Sequence, residues 1–349
     1  MTARLTLALD AMGGDHAPDI VLNGANIARE RFPQLDFLVF GPEPRIQQHL
    51  ERLPKLAKVT TIRHTDEMVA ADAKPSQALR AGRQSSMRLA IDAVASGQAA
   101  AMVSAGNTGA LMAMAKLALG MLPGIDRPAI ATFFPTQKGE SVMLDLGANT
   151  SCDVANLVQF ALMGEVFART VLGLTDPSIG LLNIGAEEIK GREELRQAAA
   201  ILRQTPLAAQ IYGFVEGNDI AAGTVDVVVT DGFTGNIALK TAEGTARLMA
   251  FYLREAFRHS ALAKIGYLLV RPALKKFRSR IDPRRYNGAI LLGLNGIAVK
   301  SHGGTDALGF ANAIGVAVDM SVHGFLAKIK AELASLYPRP DAAPEAALG

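Results

Sequence analysis

A chain of 349 residues, 49% hydrophobic and 20% charged, can bury one large core or two modest ones, which excludes a disordered or fibrous protein. Its only cysteine, Cys152, excludes an internal disulfide and a cysteine-built metal cluster; no basic leader or uninterrupted apolar span is evident, so the expected setting is cytoplasmic. The formal net charge of +3 hides an uneven distribution: residues 247–285 hold 11 Lys and Arg against two acids, Glu255 and Asp282, leaving −6 on the other 310 residues.

Short aliphatic runs alternate with alanine-rich helical stretches. In chain order the pattern predicts a strand at 5–9, a glycine turn and a helix at 18–31, then strands at 36–40 and 58–63. A helix at 76–95, a strand at 101–104, a helix at 108–119 and strands at 129–134 and 141–146 follow. The remainder reads as helix 154–171, strand 178–184, helix 192–204, strands 211–215 and 225–230, helix 235–259 and strand 297–301. Several strands are apolar throughout rather than alternating, which predicts an α/β protein with a central, largely parallel sheet covered on both faces. Residues 1–336 are expected to form a single catalytic domain, and the Pro/Ala-rich stretch 337–349 a loose tail.

The strand ends carry the chemistry. The first runs into Asp10, Gly13, Gly14, Asp15 and His16. Six later endings, at 104–110, 144–149, 182–188, 215–219, 229–236 and 300–306, share the same combination of glycine with Asn, Asp, Thr, Ser or His. In a parallel sheet all such ends face one side, so these turns are expected to surround one crevice. Ser104, Gly106, Asn107, Thr108 and Gly109 form the best anion cradle, because glycines expose backbone N–H groups and Thr108 opens a helix whose amino end attracts anions. A plain helix cap by Asn or Thr is the competing reading. The chain has no GxxxxGK[ST] loop and no GxGxxG after the first strand, so nucleotide binding is not expected. Cys152 reads as a small residue opening a helix rather than a thiol nucleophile.

Between about 246 and 285, apolar residues recur among Arg and Lys, which predicts a protruding basic hairpin of two amphipathic helices, 246–253 and 265–277. Packing between two copies, contact with anionic lipid and recruitment of an acidic carrier protein are all open to it. The sparse aromatics there, Phe251, Tyr252 and Phe257, have core alternatives, and nucleic-acid binding is not expected.

These motifs, with Lys74-Pro75-Ser76-Gln77-Ala78-Leu79-Arg80 and Ser85-Ser86-Met87-Arg88, resemble the phosphate acyltransferase family of bacterial phospholipid synthesis from Leu7 to about Phe310. The resemblance implies a three-layer αβα sandwich of the isocitrate/isopropylmalate dehydrogenase type, shared with phosphotransacetylases, and a homodimer. It implies transfer of a fatty acyl group from acyl carrier protein to inorganic phosphate, with no metal and no cofactor. The acyl phosphate would supply a membrane glycerol-3-phosphate acyltransferase, consistent with peripheral contact with an anionic membrane.

Phosphate is an anionic nucleophile near neutral pH, so the reaction needs alignment and charge stabilisation more than a strong base. The cradle residues are then assigned to phosphate or leaving-group binding, with Asn149, Asn183, Asn218 and Asn236 as neutral donors and Asp231 and Thr234 beside them. Lys300 or Lys74 supplies a cation, and His302 or His16 protonates the departing thiolate or positions phosphate, with Asp10 in the same catalytic group. A dehydrogenase on the related fold and a membrane-docking scaffold are the alternatives from other classes.

Overall fold

The aliphatic runs assemble into one eleven-stranded sheet, in a computed structural model that describes residues 4–280 and 282–336. The expected tail lies outside these residues. Its strands are β1 (Leu5–Asp10), β2 (Leu35–Gly41), β3 (Thr60–His64), β4 (Ala101–Ser104), β5 (Ala129–Thr136), β6 (Gly139–Leu144), β7 (Ile179–Leu182), β8 (Ile211–Val215), β9 (Val227–Val229), β10 (Ala289–Leu292) and β11 (Ile297–Lys300). The helices are α1 (Asp19–Arg31), α2 (Glu43–Leu50), α3 (Pro54–Ala57), α4 (Pro75–Ala81), α5 (Ser86–Ala95), α6 (Thr108–Leu119), α7 (Val154–Phe167), α8 (Glu193–Leu202), α9 (Gly217–Ala222), α10 (Gly232–Arg258), α11 (Ala261–Arg280), α12 (Ala307–Val322) and α13 (Phe325–Leu336).

Successive side chains of a strand point to opposite faces, and here both faces are dry. Leu7, Leu9, Val103, Leu144 and Val229 pack on one side with Val21 of α1, Phe160 of α7 and Phe310 of α12. Ala8, Met102, Met143 and Val228 pack on the other with Ile91 of α5, Leu111 of α6 and Ile220 of α9. The three-layer αβα sandwich follows.

The order is β3-β2-β1-β4-β11-β10-β5-β6-β9-β7-β8. Most pairings are parallel, but β10 is antiparallel to both β11 and β5, and β5 to β6. Strands β6 to β10 therefore run opposite to β1 to β5 and β11. This corrects the expectation that every strand end faces one side. The ends of β1, β4 and β11 form one group, and those of β6, β7, β8 and β9 another. Twist accumulates at about 20–25° per strand, so six steps from β1 to β9 swing the reversed strands most of the way back.

Local chemistry moves several predicted boundaries. The helix expected at 76–95 breaks at Gly82, where a side chain would meet Met114 and the Ala78 carbonyl, and Ser85 restarts it by accepting the Arg88 N–H. The helix expected from 235 begins at Gly232, because Asp231 caps it by accepting the Thr234 N–H. Gly235 lets that first turn press on the Asp145 carbonyl, leaving no room for a Cβ. The hairpin exists as α10 and α11, and only Gly232 and Gly235 of α10 are buried. Among the described residues no single helix is long and apolar enough to cross a membrane.

Candidate active site

The first group is built around a buried carboxylate. Asp10 accepts hydrogen bonds from Ser86 Oγ and Ser104 Oγ, each at 2.6 Å, and from the Met12 N–H at 3.2 Å. Burial pushes its carboxyl above the ordinary range, and these donors work against that shift. Ser104 Oγ in turn accepts the Gly106 N–H at 3.0 Å, so Asp10 orients the cradle through one hydroxyl. Gly13 is required beneath: a Cβ there would meet Gly106 N, Asp10 Oδ2 and Ser104 Oγ.

Asn107 caps α6 by accepting the Ala110 N–H, and its Nδ2 donates to the Ala71 and Ala73 carbonyls. The Asn107, Thr108 and Gly109 N–H groups meet no acceptor among the described residues, as expected for a first helical turn. Lys74, exposed, precedes Pro75, which lies against Gly109.

From β11, Lys300 Nζ donates to the Ala105 carbonyl at 3.3 Å and to the Ser301 carbonyl. Burial brings its amine down to about 8; Asp10 and Asp15 oppose the fall and Lys240 adds to it. Partial burial also lowers His302, with Lys240 and Lys300 acting the same way and Glu243 and Asp15 against. The Gly304 N–H donates to His302 Nδ1 at 3.2 Å, which puts the proton of the neutral ring on Nε2. Buried Asn287 fixes this corner, accepting the His302 N–H and donating to Ser301 Oγ and the Gly309 carbonyl. The Asp15 N–H donates to the Gly303 carbonyl, joining the β1 and β11 loops, while the Asp15 and His16 side chains are exposed.

A second buried carboxylate organises the other group. Asp145 accepts the N–H groups of Ile130, Ala148 and Asn149 and the Asn149 side-chain amide, and burial again pushes it up. The Asn149 carbonyl accepts the Gly232 N–H at 2.7 Å, fixing the start of α10. Asp231 is buried; its burial alone would raise the carboxyl, but hydrogen bonds from Thr234 and Arg192 outweigh that and hold it low. α10 links the groups. Asn236 lies beside Gly147, and Lys240, two turns beyond Thr234, acts on both Lys300 and His302.

Residues 5–328 match the family model described as "Fatty acid synthesis protein". The chain is 67% identical over 343 residues to a phosphate acyltransferase of Rhodospirillum centenum, covering 98% of this chain and 97% of that protein. It is 62% identical over 338 residues to one of Paramagnetospirillum magneticum, covering 97% and 96%. The chain belongs to the phosphate acyltransferase family. Its fold resembles a phosphotransacetylase from Streptococcus pyogenes (TM-score 0.64, 15% identity, covering 91% of this chain and 94% of that one) and the EutD phosphotransacetylase from Staphylococcus aureus (TM-score 0.60, 16% identity, 91% and 94%). Membership in this family makes the protein an acyltransferase of lipid synthesis and sets aside the dehydrogenase and scaffold readings.

In this phosphate acyltransferase, Asp10, Ser104, Gly106, Lys300 and His302 come together, with Asn107, Thr108 and Gly109 adjoining. Asn149 joins the second group but spends its amide on Asp145 and the Pro128 carbonyl. Asn183 donates to the Lys190 carbonyl and packs on Gly191. Thr234 spends its hydroxyl on Asp231. Asn236 is exposed and its amide has no partner among the described residues; Asn218 is exposed on α9, after the edge strand β8. Sequence reading named the motifs that hold Ser86 and Asp145 but gave neither residue a site role, and it missed Arg192, Lys240 and Asn287. The one available signal was the helical spacing that puts Lys240 on the face of Phe233 and Asn236.

Burial, with Asp145 and Asp231 nearby, pushes the Cys152 thiol up to about 12. A thiol held there stays protonated at neutral pH and is a poor nucleophile. Cys152→Ser should keep turnover within about twofold of the parent; loss of activity with normal folding would restore the thiol as a reacting group.

Proposed function

We propose that the protein moves a fatty acyl group from an acyl carrier protein thioester to inorganic phosphate, giving acyl phosphate and the free carrier thiol. One juxtaposition supports this above the rest: the free N–H donors at 107–109 belong to the same loop whose Ala105 carbonyl is held by the Lys300 amine. In this reading phosphate rests on the amino end of α6, and the Lys300 ammonium offsets its charge. A phosphate oxygen attacks the thioester carbonyl carbon. The C–O bond forms, the carbonyl electrons move onto oxygen, and their return breaks the C–S bond. His302 Nε2–H donates to the transient oxyanion, a role suited to a neutral ring. The thiol is far more acidic than an alcohol, so it departs as thiolate without a dedicated acid and takes its proton from water. No metal or nucleotide is needed. The product is a mixed anhydride, an activated donor for a membrane glycerol-3-phosphate acyltransferase.

The α10–α11 hairpin is assigned to self-association as a homodimer, with peripheral membrane contact at its tip. Leu248, Phe251 and Tyr252 are exposed at helical spacing on α10, and Leu262, Ile265, Leu268 and Leu269 are exposed on α11. Sedimentation of the full chain should give a two-chain mass, which Phe251→Asp lowers to one; a monomeric parent chain would reject the dimer.

Purified protein with acyl carrier thioester and phosphate should yield hydroxylamine-trapped acyl phosphate only when phosphate is present. Product independent of phosphate, or none, overturns the reading. The ammonium form of Lys300 is the competent one, so kcat/KM for phosphate should fall as pH rises through about 8. Lys300→Met should lower it by about a hundredfold. A profile flat well above that pH removes Lys300 from the reaction.

A further inference from the structure

The two strand-end groups are joined by an exposed strip of α10 with no role so far. Phe233, Asn236, Ile237 and Lys240 stand at i, i+3, i+4 and i+7, one contiguous stripe of the helix. Phe233 and Ile237 are 62% and 51% exposed. Asn236 lies by Gly147, and its amide is unpartnered among the described residues. Lys240 is close enough to act on Lys300 and His302. At the other end, Arg192 bonds the buried Asp231 through one guanidinium nitrogen, and its remaining N–H groups have no acceptor among the described residues. The nine residue steps from Asp231 to Lys240 span about 13 Å at the helical rise.

From these observations we infer that the stripe of α10 is the binding track for a phosphopantetheine arm, with the thioester at the His302 end and the arm's phosphate ester on Arg192. This rests on the acyl-transfer reading above. The arm joins phosphate to sulfur through about a dozen bonds, roughly 15 Å when extended at ordinary bond lengths. That length matches the track. Its composition matches too: a gem-dimethyl group and methylenes suit Phe233 and Ile237, the two amides suit the free Asn236 amide, and the anionic ester suits a guanidinium held in place by a buried carboxylate. Arg192 is thus a specificity residue for the donor, while the free phosphate sits at the other group. A carrier protein and coenzyme A both present this arm.

The test compares thioesters of one acyl chain on carrier protein, on coenzyme A, on free phosphopantetheine and on N-acetylcysteamine, which lacks the phosphate and the gem-dimethyl end. Arg192→Ala should lower kcat/KM at least tenfold for the three arm-bearing donors and less than threefold for the truncated one, with the KM for inorganic phosphate unchanged. Ile237→Asp, at a half-exposed position that does not support the core, should show the same selectivity. Equal loss on all four donors, or a raised KM for inorganic phosphate, overturns the track. A parent enzyme that uses N-acetylcysteamine and phosphopantetheine thioesters equally well also overturns it, yet leaves acyl transfer intact. A parent enzyme inactive with every thioester fails the acyl-transfer reading itself. If the effect extends to the carrier donor but not to coenzyme A or free phosphopantetheine, Arg192 contacts the carrier's protein surface and the track is wrong.

Discussion

A carboxylate buried where three chain segments meet is the constraint on which the site depends. Asp10 is buried away from solvent, so the structure must supply donors, and they come from its own turn, from Ser86 at the start of α5 and from Ser104 at the end of β4. Burying a charge costs several kcal/mol unless it is fully hydrogen-bonded, so those segments cannot drift without exposing the cost. The Ser104 hydroxyl, its proton committed to Asp10, offers its lone pair to the Gly106 N–H. Lys300 holds the next carbonyl, Ala105, from the opposite side. A short glycine loop that would otherwise be mobile is thereby fixed at the start of a helix, with its free donors outward.

Asp145 does the same for the other half of the sheet, gathering four N–H donors and, through Asn149, the first turn of α10. The two halves run in opposite hydrogen-bonded directions, and a long helix rooted in one reaches the charged groups of the other. Reactants held at different ends of such a helix can be aligned without either half moving, which is the kind of positional gain that acyl transfer to a weakly basic anion requires.

Much of this was legible in the residues. Asp10, the cradle at 104–109, Lys300 and His302 stood out because glycine and hydrogen-bonding side chains cluster after apolar strands, and the hairpin because its charge is so uneven. Strand direction was not legible. Periodicity says that Val227–Val229 is a strand, but nothing in three valines says which way it runs. The four-residue β10, antiparallel to both of its neighbours, lies between Gly288 and Gly293 and is too short to carry a pattern, and the lasting reversal follows at the β5–β6 pair. Asn149 and Asn183 read as ligand donors because an amide at a strand end looks the same whether it faces the cleft or its own loop. Arg192 and Lys240 were missed because each gains meaning only from a partner far along the chain, Asp231 for one and His302 for the other.

Titrating inorganic phosphate into isotope-labelled protein and following backbone amide resonances tests the central claim most directly. If the Asp10-anchored loop holds the nucleophile, the Gly106, Asn107, Thr108 and Gly109 amides shift together along one saturable curve, and Ser104→Ala weakens that curve. Saturable shifts confined to the loops after β6, β7 and β9, with the cradle amides unmoved, would contradict it.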